Sequence, residues 1–349
     1  MLGSVITVRG EVAPGELGIV LAHEHLLLDL RNQFSPFADA ALARLSAEPV
    51  RMSNLGRLRR NPYGIKDNLL LDDLDTAVAE ALEFRALGGR TIVECTSNGI
   101  CRQPARLRTL AERTDLHVVC GCGYYTHDTH PAEMDARTVE DLAEELVREL
   151  REGVADTGVR AGIIGEIGTS DPVRPNEWKN LAAAALAHRT VPAAIYVHCY
   201  PWATHGLEAG RFLMARGVPA RRIVICHVDV QPEPAYIRAL LVQGFMVEFD
   251  NFGKEFWIDP SERGFAGGVF ISDRERVSLV RELLGEGWHA QLLITNDICL
   301  KSMLGRYGGW GYAHLLRHIV PMLRDAGVEQ AAIDAMLIHN PAKLLVIGP

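Results

Sequence analysis

The stretch GIVLAHEHLLLD, residues 18–29, sets two histidines, His23 and His25, two positions apart at the end of an apolar run. In an extended segment side chains alternate, so positions i and i+2 emerge on one face and can point at one atom. A shared metal ion is the sharp reading of that spacing. The plain reading is a pair of strand-end histidines hydrogen-bonded to their neighbours. The rest of the chain decides between them.

Seven further apolar, β-branched runs follow: RTIVECTS (90–97), HVVCGCGYY (117–125), AGIIGEIGTS (161–170), AIYVHCY (194–200), RIVICHVD (222–229), FMVEFDNFG (245–253) and QLLITND (291–297). Most are continuous rather than alternating, as in parallel strands covered on both faces. Between them lie segments of helical period, among them 72–88, 139–153, 176–190, 234–244 and 273–287; several open on a polar residue and close on glycine. Eight strands alternating with helices predict an α/β fold, a (β/α)8 TIM barrel, with a doubly wound open sheet as the alternative. No repeat or linker divides the 349 residues, so one domain over 1–349 is expected, with short N-terminal strands ahead of the barrel. The long excursion at 30–70 follows the first strand, where a loop covers the active site of a barrel.

The net charge of −8, with no stripe of Lys and Arg, argues against a nucleic-acid partner, and the locally basic 51–64 reads as a solvated loop segment that can contact the site. No run approaches the roughly 20 apolar residues of a membrane span, and the N-terminal stretch lacks the pattern of a secretory signal. Seven cysteines, mostly inside strand-like runs, suit reduced thiols in a core, and the CGC at 120–122 has neither zinc-knuckle nor CxxC spacing. These features predict a cytoplasmic protein acting on a small molecule, without nucleic acid or membrane.

In a barrel the C-terminal strand ends converge on one mouth. The polar residues at those ends are His23 and His25 on the first strand, Glu166 on the fourth, His198 on the fifth, His227 on the sixth and Asp297 on the eighth. Each interrupts or ends an apolar run, where an ionisable group is costly unless paired or metal-bound. Four imidazoles and two carboxylates can ligate two divalent ions. Glu166 has two oxygens and can span both, with His23, His25 and Asp297 on one ion and His198 and His227 on the other. Zn2+ is the default for such donors, and Mn2+, Co2+, Fe2+ and Ni2+ also suit them.

From GEVAPGELGIVLAHEHLLLD through AGIIGEIGTS, VHCY, ICHVD, FDNFGK and TND to YGGWGYAHLL and HNPAKLL, the chain resembles the phosphotriesterase-related proteins of the amidohydrolase superfamily over nearly its whole length. The resemblance implies a binuclear metal hydrolase with a bridging hydroxide, and it alone suggests a homodimer. Many members carry a carboxylated lysine on the fourth strand; this chain has Glu166 there, as in one branch of the family. That departure weakens any transfer of substrate from the lysine-bearing members.

Within this chemistry Asp297 is the expected proton acceptor, which returns the proton to the leaving group. Tyr124 and Tyr125 end the third strand, where a phenol can orient substrate; the alternative is a buried tyrosine that satisfies a neighbour. Lys254 is expected either to bind an anionic substrate group or to form a salt bridge to a nearby acid, Glu255 and Asp259 being two instances. Arg274 and Arg276 read as surface pairs. His127 and His130 read as mouth residues without ligand spacing, and His188, His289, His314, His318 and His339 as ordinary. Trp202, Phe252, Phe256 and Trp257 are candidates for an apolar wall. The leading expectation is hydrolysis of a carboxylic ester or lactone, with the amide of an N-acylated small acid or a phosphoester or phosphotriester as alternatives. A non-catalytic binder on the same scaffold would lack some of the six strand-end ligands, and all six are present.

Overall fold

The computed structural model describes residues 3–348. Eight parallel strands lie side by side in chain order: β1 (Ile19–Glu24), β2 (Gly89–Glu94), β3 (His117–Cys122), β4 (Ile163–Thr169), β5 (Ile195–Cys199), β6 (Ile223–Ile225), β7 (Met246–Phe249) and β8 (Leu292–Ile294). All eight coincide with the runs read from the sequence. The expected barrel forms, and the open sheet is excluded because β8 returns to β1. That seam carries no regular ladder; Asp297 N–H and the Thr295 hydroxyl both donate to His23 O at 3.2 Å. The Glu24 carboxylate completes the seam. It accepts from the Thr295 hydroxyl, the Asn296 N–H and Nδ2, and the Ile298 N–H at 2.7–3.0 Å.

The helices α1 (Leu74–Ala86), α2 (Pro104–Thr114), α3 (Val139–Arg151), α4 (Pro175–Thr190), α5 (Gly206–Met214), α6 (Pro234–Gln243) and α7 (Asp273–Gly285) cover the outside. Their ends follow from local chemistry. Thr138 and Asp141 cap α3 reciprocally, Ser272 and Glu275 do the same for α7, and Gly244 ends α6 at φ +89°. Among the described residues no helix is long and apolar enough to cross a membrane, and all seven cysteines are unpaired.

Inside the barrel Val20, Ala22, Val93, Val119, Ile163, Tyr196, Val224 and Leu293 pack together, and Leu344 and Leu345 from the C-terminal helix join the same cluster. The alternate residues Leu21, Ile164, Ile225 and Ile294 join the larger core between strands and helices. This parity matters for the site. A β1 that kept its alternation would turn Ala22 and Glu24 inward and His23 outward. The ladder is irregular between Leu21 and Glu24, and His23 turns in. The same happens on β4, irregular between Ile164 and Ile167, where Ile167 joins the outer core and Glu166 faces the interior. On β6, Cys226 already faces inward, and His227 follows at φ +62°, a left-handed conformation that turns an adjacent side chain the same way.

The 30–70 excursion is anchored at its base by pairing of Leu28–Asp29 with Leu70–Leu71 and carries its own apolar cluster of Phe37, Val50, Leu58 and Ile65. Residues 51–64 are therefore not simply solvated. Leu58 and Tyr63 are buried, and Arg59 O and Arg60 O accept from the Trp257 and Asp259 N–H groups of the loop after β7.

Candidate metal centre

The six strand-end residues meet at the mouth, all buried. Glu166 lies at the centre. Its Oε1 is 3.4 Å from His25 Nε2; its Oε2 is 3.2 Å from His198 Nδ1, 3.4 Å from His227 Nε2 and 3.6 Å from His23 Nε2. Asp297 Oδ1 is 3.2 Å from His25 Nε2 and 3.9 Å from His23 Nε2. Donors bound about 2.1 Å from one tetrahedral ion stand about 3.4 Å apart, so these separations are the edges of a coordination shell. His23 Nε2 and Asp297 Oδ1 are buried with no hydrogen-bond partner, as atoms reserved for a cation would be. The donor set thus fits two divalent ions: His23, His25 and Asp297 would hold one, His198 and His227 the other, with Glu166 between them.

A second ring of side chains aims the imidazoles, and the sequence reading missed it. His23 Nδ1 donates to Glu248 Oε2 at 2.9 Å, and Asp250 Oδ2, which accepts from the His227 backbone N–H at 2.9 Å, lies 3.1 Å from His227 Nδ1. His25 Nδ1 donates to the Thr96 hydroxyl at 2.9 Å, and that hydroxyl donates to Glu94 Oε1 at 2.6 Å. The bonds from His23 and His25 hold the proton on Nδ1 and leave Nε2 free for a metal. The signal was present in RTIVECTS and FMVEFDN, whose acids interrupt buried strands as the ligands do.

Burial disfavours imidazolium, yet the carboxylates around His25 and His227 outweigh it. Asp297 and Glu166 carry the His25 pKa up to about 9, and Asp250 and Glu166 carry that of His227 to about 10. At His198 burial prevails and the pKa falls. Burial also opposes ionisation of Asp297, but Lys254, His25 and His23 hold it well below the usual carboxylate range.

Lys254 is buried and its Nζ donates to Asp297 Oδ2, so its acidic partner is neither Glu255 nor Asp259. Tyr125 faces the mouth, its ring centroid 4.7 Å from that of His198 and its hydroxyl accepting from Gln33 Nε2 at 3.2 Å. Tyr124 is corrected. Its hydroxyl donates to Glu145 at 3.0 Å and accepts from Arg137 at 2.7 Å, because neighbouring residues at a strand end point to opposite sides. Arg276 is corrected as well, being fully buried on Asp229 and Asp273 at 3.0 Å each. Arg274 is exposed. His130 Nε2 is bound to Tyr125 O at 2.8 Å, and His314 Nε2 to Asp273 at 2.7 Å. Trp202 and Phe256 pack edge-on against Phe270, Phe252 is core, and Trp257 is 70% exposed and no part of a wall.

The Phosphotriesterase family profile matches residues 3–345. The chain is 36% identical over 349 residues to N-acetyltaurine hydrolase of Danio rerio, covering 98% of each chain. Among solved structures it is similar to a resiniferatoxin-binding protein from Rhodobacter sphaeroides, with a TM-score of 0.94, 34% identity and coverage of 99% of this chain and 95% of that one. A mutant of a PTE-like lactonase from Deinococcus radiodurans superposes with a TM-score of 0.75 at 28% identity, covering 98% of this chain and 99% of that one.

Proposed function

The chain belongs to the phosphotriesterase family and is a metal-dependent hydrolase, and on that premise we propose that it cleaves the amide of an N-acylated small acid into a carboxylate and an amine. The observation that carries this reading is the similarity to N-acetyltaurine hydrolase along 98% of both chains. The sequence alone put an ester or lactone first; the amide takes precedence because the likeness to a lactonase is weaker, at 28% identity. Ester or lactone cleavage is the second reading, supported by that likeness.

We take the two cations as zinc, on the ground of imidazole and carboxylate donors at tetrahedral spacing. When bound, divalent ions supply an acidified water and polarise the scissile carbonyl. Asp297 accepts the proton of the attacking water and delivers it to the departing nitrogen, which leaves as a neutral amine. Lys254, on the other carboxylate oxygen, orients Asp297 and keeps it ionised before the proton arrives. The Tyr125 hydroxyl, 3.3 Å from His198 Nε2, donates to the substrate carbonyl in this reading.

A metal-reconstituted sample assayed against N-acyl amino acids, N-acyl aminosulfonates, lactones, aryl esters and phosphotriesters tests the reading. The N-acyl amides, of amino acids or of aminosulfonates, are expected to lead the esters, lactones and phosphotriesters in kcat/KM by about tenfold or more, about 1.4 kcal/mol in the barrier. A lactone at the head of the ranking overturns the amide in favour of the second reading.

A further inference from the structure

We infer that the site sorts its substrate into two compartments: a short acyl group, an acetyl or little more, in a narrow inner cavity, and an acid-bearing amine half in the wider cleft beside it. The inference deepens the amide reading and rests on it.

The inner cavity, of about 40 Å3, reaches from the metal cluster to an apolar wall of Leu30, Tyr63, Pro201, Val230, Phe265 and Phe270. One water needs about 10–15 Å3 on this scale, so the cavity has room for about three such groups even before cations enter it, which limits the acyl group to an acetyl or little more. The wall is braced. Tyr63 packs edge-on against Phe265 at 5.0 Å, and Trp202 and Phe256 each against Phe270 at 5.4 Å. Phe265 itself is pinned by its backbone, its N–H donating to Ser35 Oγ at 3.1 Å and its carbonyl accepting from the Tyr200 hydroxyl at 2.8 Å.

Gln33, His198 and Phe265 also line a second space, a cleft of about 460 Å3, so the two spaces adjoin, with Phe265 in the wall they share. The cleft mixes aromatic side chains, Phe34, Tyr200 and Phe265, with the polar groups of Asn32, Ser35, His127, Ser170 and Arg174. Two carboxylates line it as well. Asp128 is occupied by the Thr126 hydroxyl at 2.7 Å and Asn32 Nδ2 at 2.9 Å, and Asp171 is exposed. Arg174 is the one Lys or Arg of the lining, and no ion pair among the described residues engages it. A carboxylate or sulfonate on the amine half finds a free guanidinium there. The reverse orientation would set that anion against Leu30, Val230 and Phe270, with Lys254, the one Lys or Arg of that lining, already paired to Asp297.

The metal-loaded enzyme is assayed with the N-acetyl, N-butyryl and N-hexanoyl derivatives of one amino acid. From acetyl to hexanoyl kcat/KM is expected to fall by about 100-fold or more, since a packed wall resists added methylenes. Phe265→Ala should narrow that gap to under about tenfold, with Phe265→Leu as the milder variant if the first fails to fold. Arg174→Gln should raise KM for the acid-bearing amide, and leave an uncharged N-acetyl amine unaffected. Binding of acetate, butyrate and hexanoate, measured calorimetrically, reads the inner cavity without turnover and applies equally to ester and amide products. Discrimination among these carboxylates with no amide cleaved overturns the amide reading and keeps the compartments. Hexanoate bound as tightly as acetate, or hexanoyl amides cleaved as fast as acetyl, overturns the compartments.

Discussion

Replacing Thr96 by valine removes one hydroxyl and nothing else of shape, and it tests whether the ring behind the imidazoles tunes the metal centre. Thr96 Oγ1 accepts from His25 Nδ1 at 2.9 Å and donates to Glu94 Oε1 at 2.6 Å, all three side chains being buried. Valine leaves the ring N–H unpaired and Glu94 Oε1 with one remaining donor, the Leu26 N–H at 3.2 Å. An unpaired buried polar group costs about 1–3 kcal/mol, which sets the expected fall in stability of the metal-free protein. The part that appears in metal binding is the loss of ring orientation and basicity, about 10–100-fold in affinity, or about 1.4–2.7 kcal/mol. Competition against a chromophoric chelator reads the affinity, and urea unfolding of the metal-free protein reads the stability. Thr96→Ser, which keeps the hydroxyl, should recover both. A Thr96→Val protein that loses stability but binds metal within twofold of wild type would refute the reasoning and leave Thr96 a packing residue.

Three other substitutions or titrations bear on the same site. Asp297→Asn is expected to keep both metals by elemental analysis while losing about 100-fold or more in kcat, the usual scale of a lost proton acceptor; unchanged turnover sinks the assigned role. Metal uptake by the metal-free protein at pH 7.5 should release at least two protons, from His25 and His227, whose pKa values near 9 and 10 keep both charged there, and His23, also raised well above its ordinary value, adds to the release; calorimetry in buffers of different ionisation enthalpy counts them. Both values lie above the unfolded imidazole value near 6.5, so the stability they lend the metal-free protein is fully present below about pH 6.5 and is lost as pH rises through 9–10, while metal affinity climbs over the same interval. Parallel trends would contradict the assignment. Glu24→Gln should cost about 1–3 kcal/mol in denaturant unfolding, since its amide nitrogen would meet N–H donors now served by carboxylate oxygens; a neutral result would remove Glu24 from the closure of the barrel.

The strands and the six ligands were legible because each ligand is an ionisable residue set against a continuous apolar run, a contrast visible in one dimension. How the ligands reach a common point was not. His23, Glu166 and His227 face the interior only because alternation fails on three strands, and ladder irregularities and a left-handed φ have no residue-level signature in IVLAHE, IIGEIGT or VICHVD. The His-x-His spacing is real, but regular pleating carried on from Ala22 would have turned it outward. Arg276 misled for the opposite reason. It sits among charges in DRERVSLVREL, and only the packing of α7 against the loops after β6 and β7 buries it on Asp229 and Asp273. Tyr124 and Tyr125 are indistinguishable by type, and the choice between them depends on which one the strand end turns toward His198.

The seam between the first and last strands has a consequence for how the protein is made. Glu24 and the groups it receives from β8 lie 271–274 residues apart, and His25 shares an ion with Asp297 across the same join. On a ribosome the opening histidines emerge early and wait through most of translation for their partners. A nascent chain therefore holds its first two ligands in an unfinished cylinder, and the tight site comes into being only when the final strand is released, which makes cation capture a late checkpoint on synthesis.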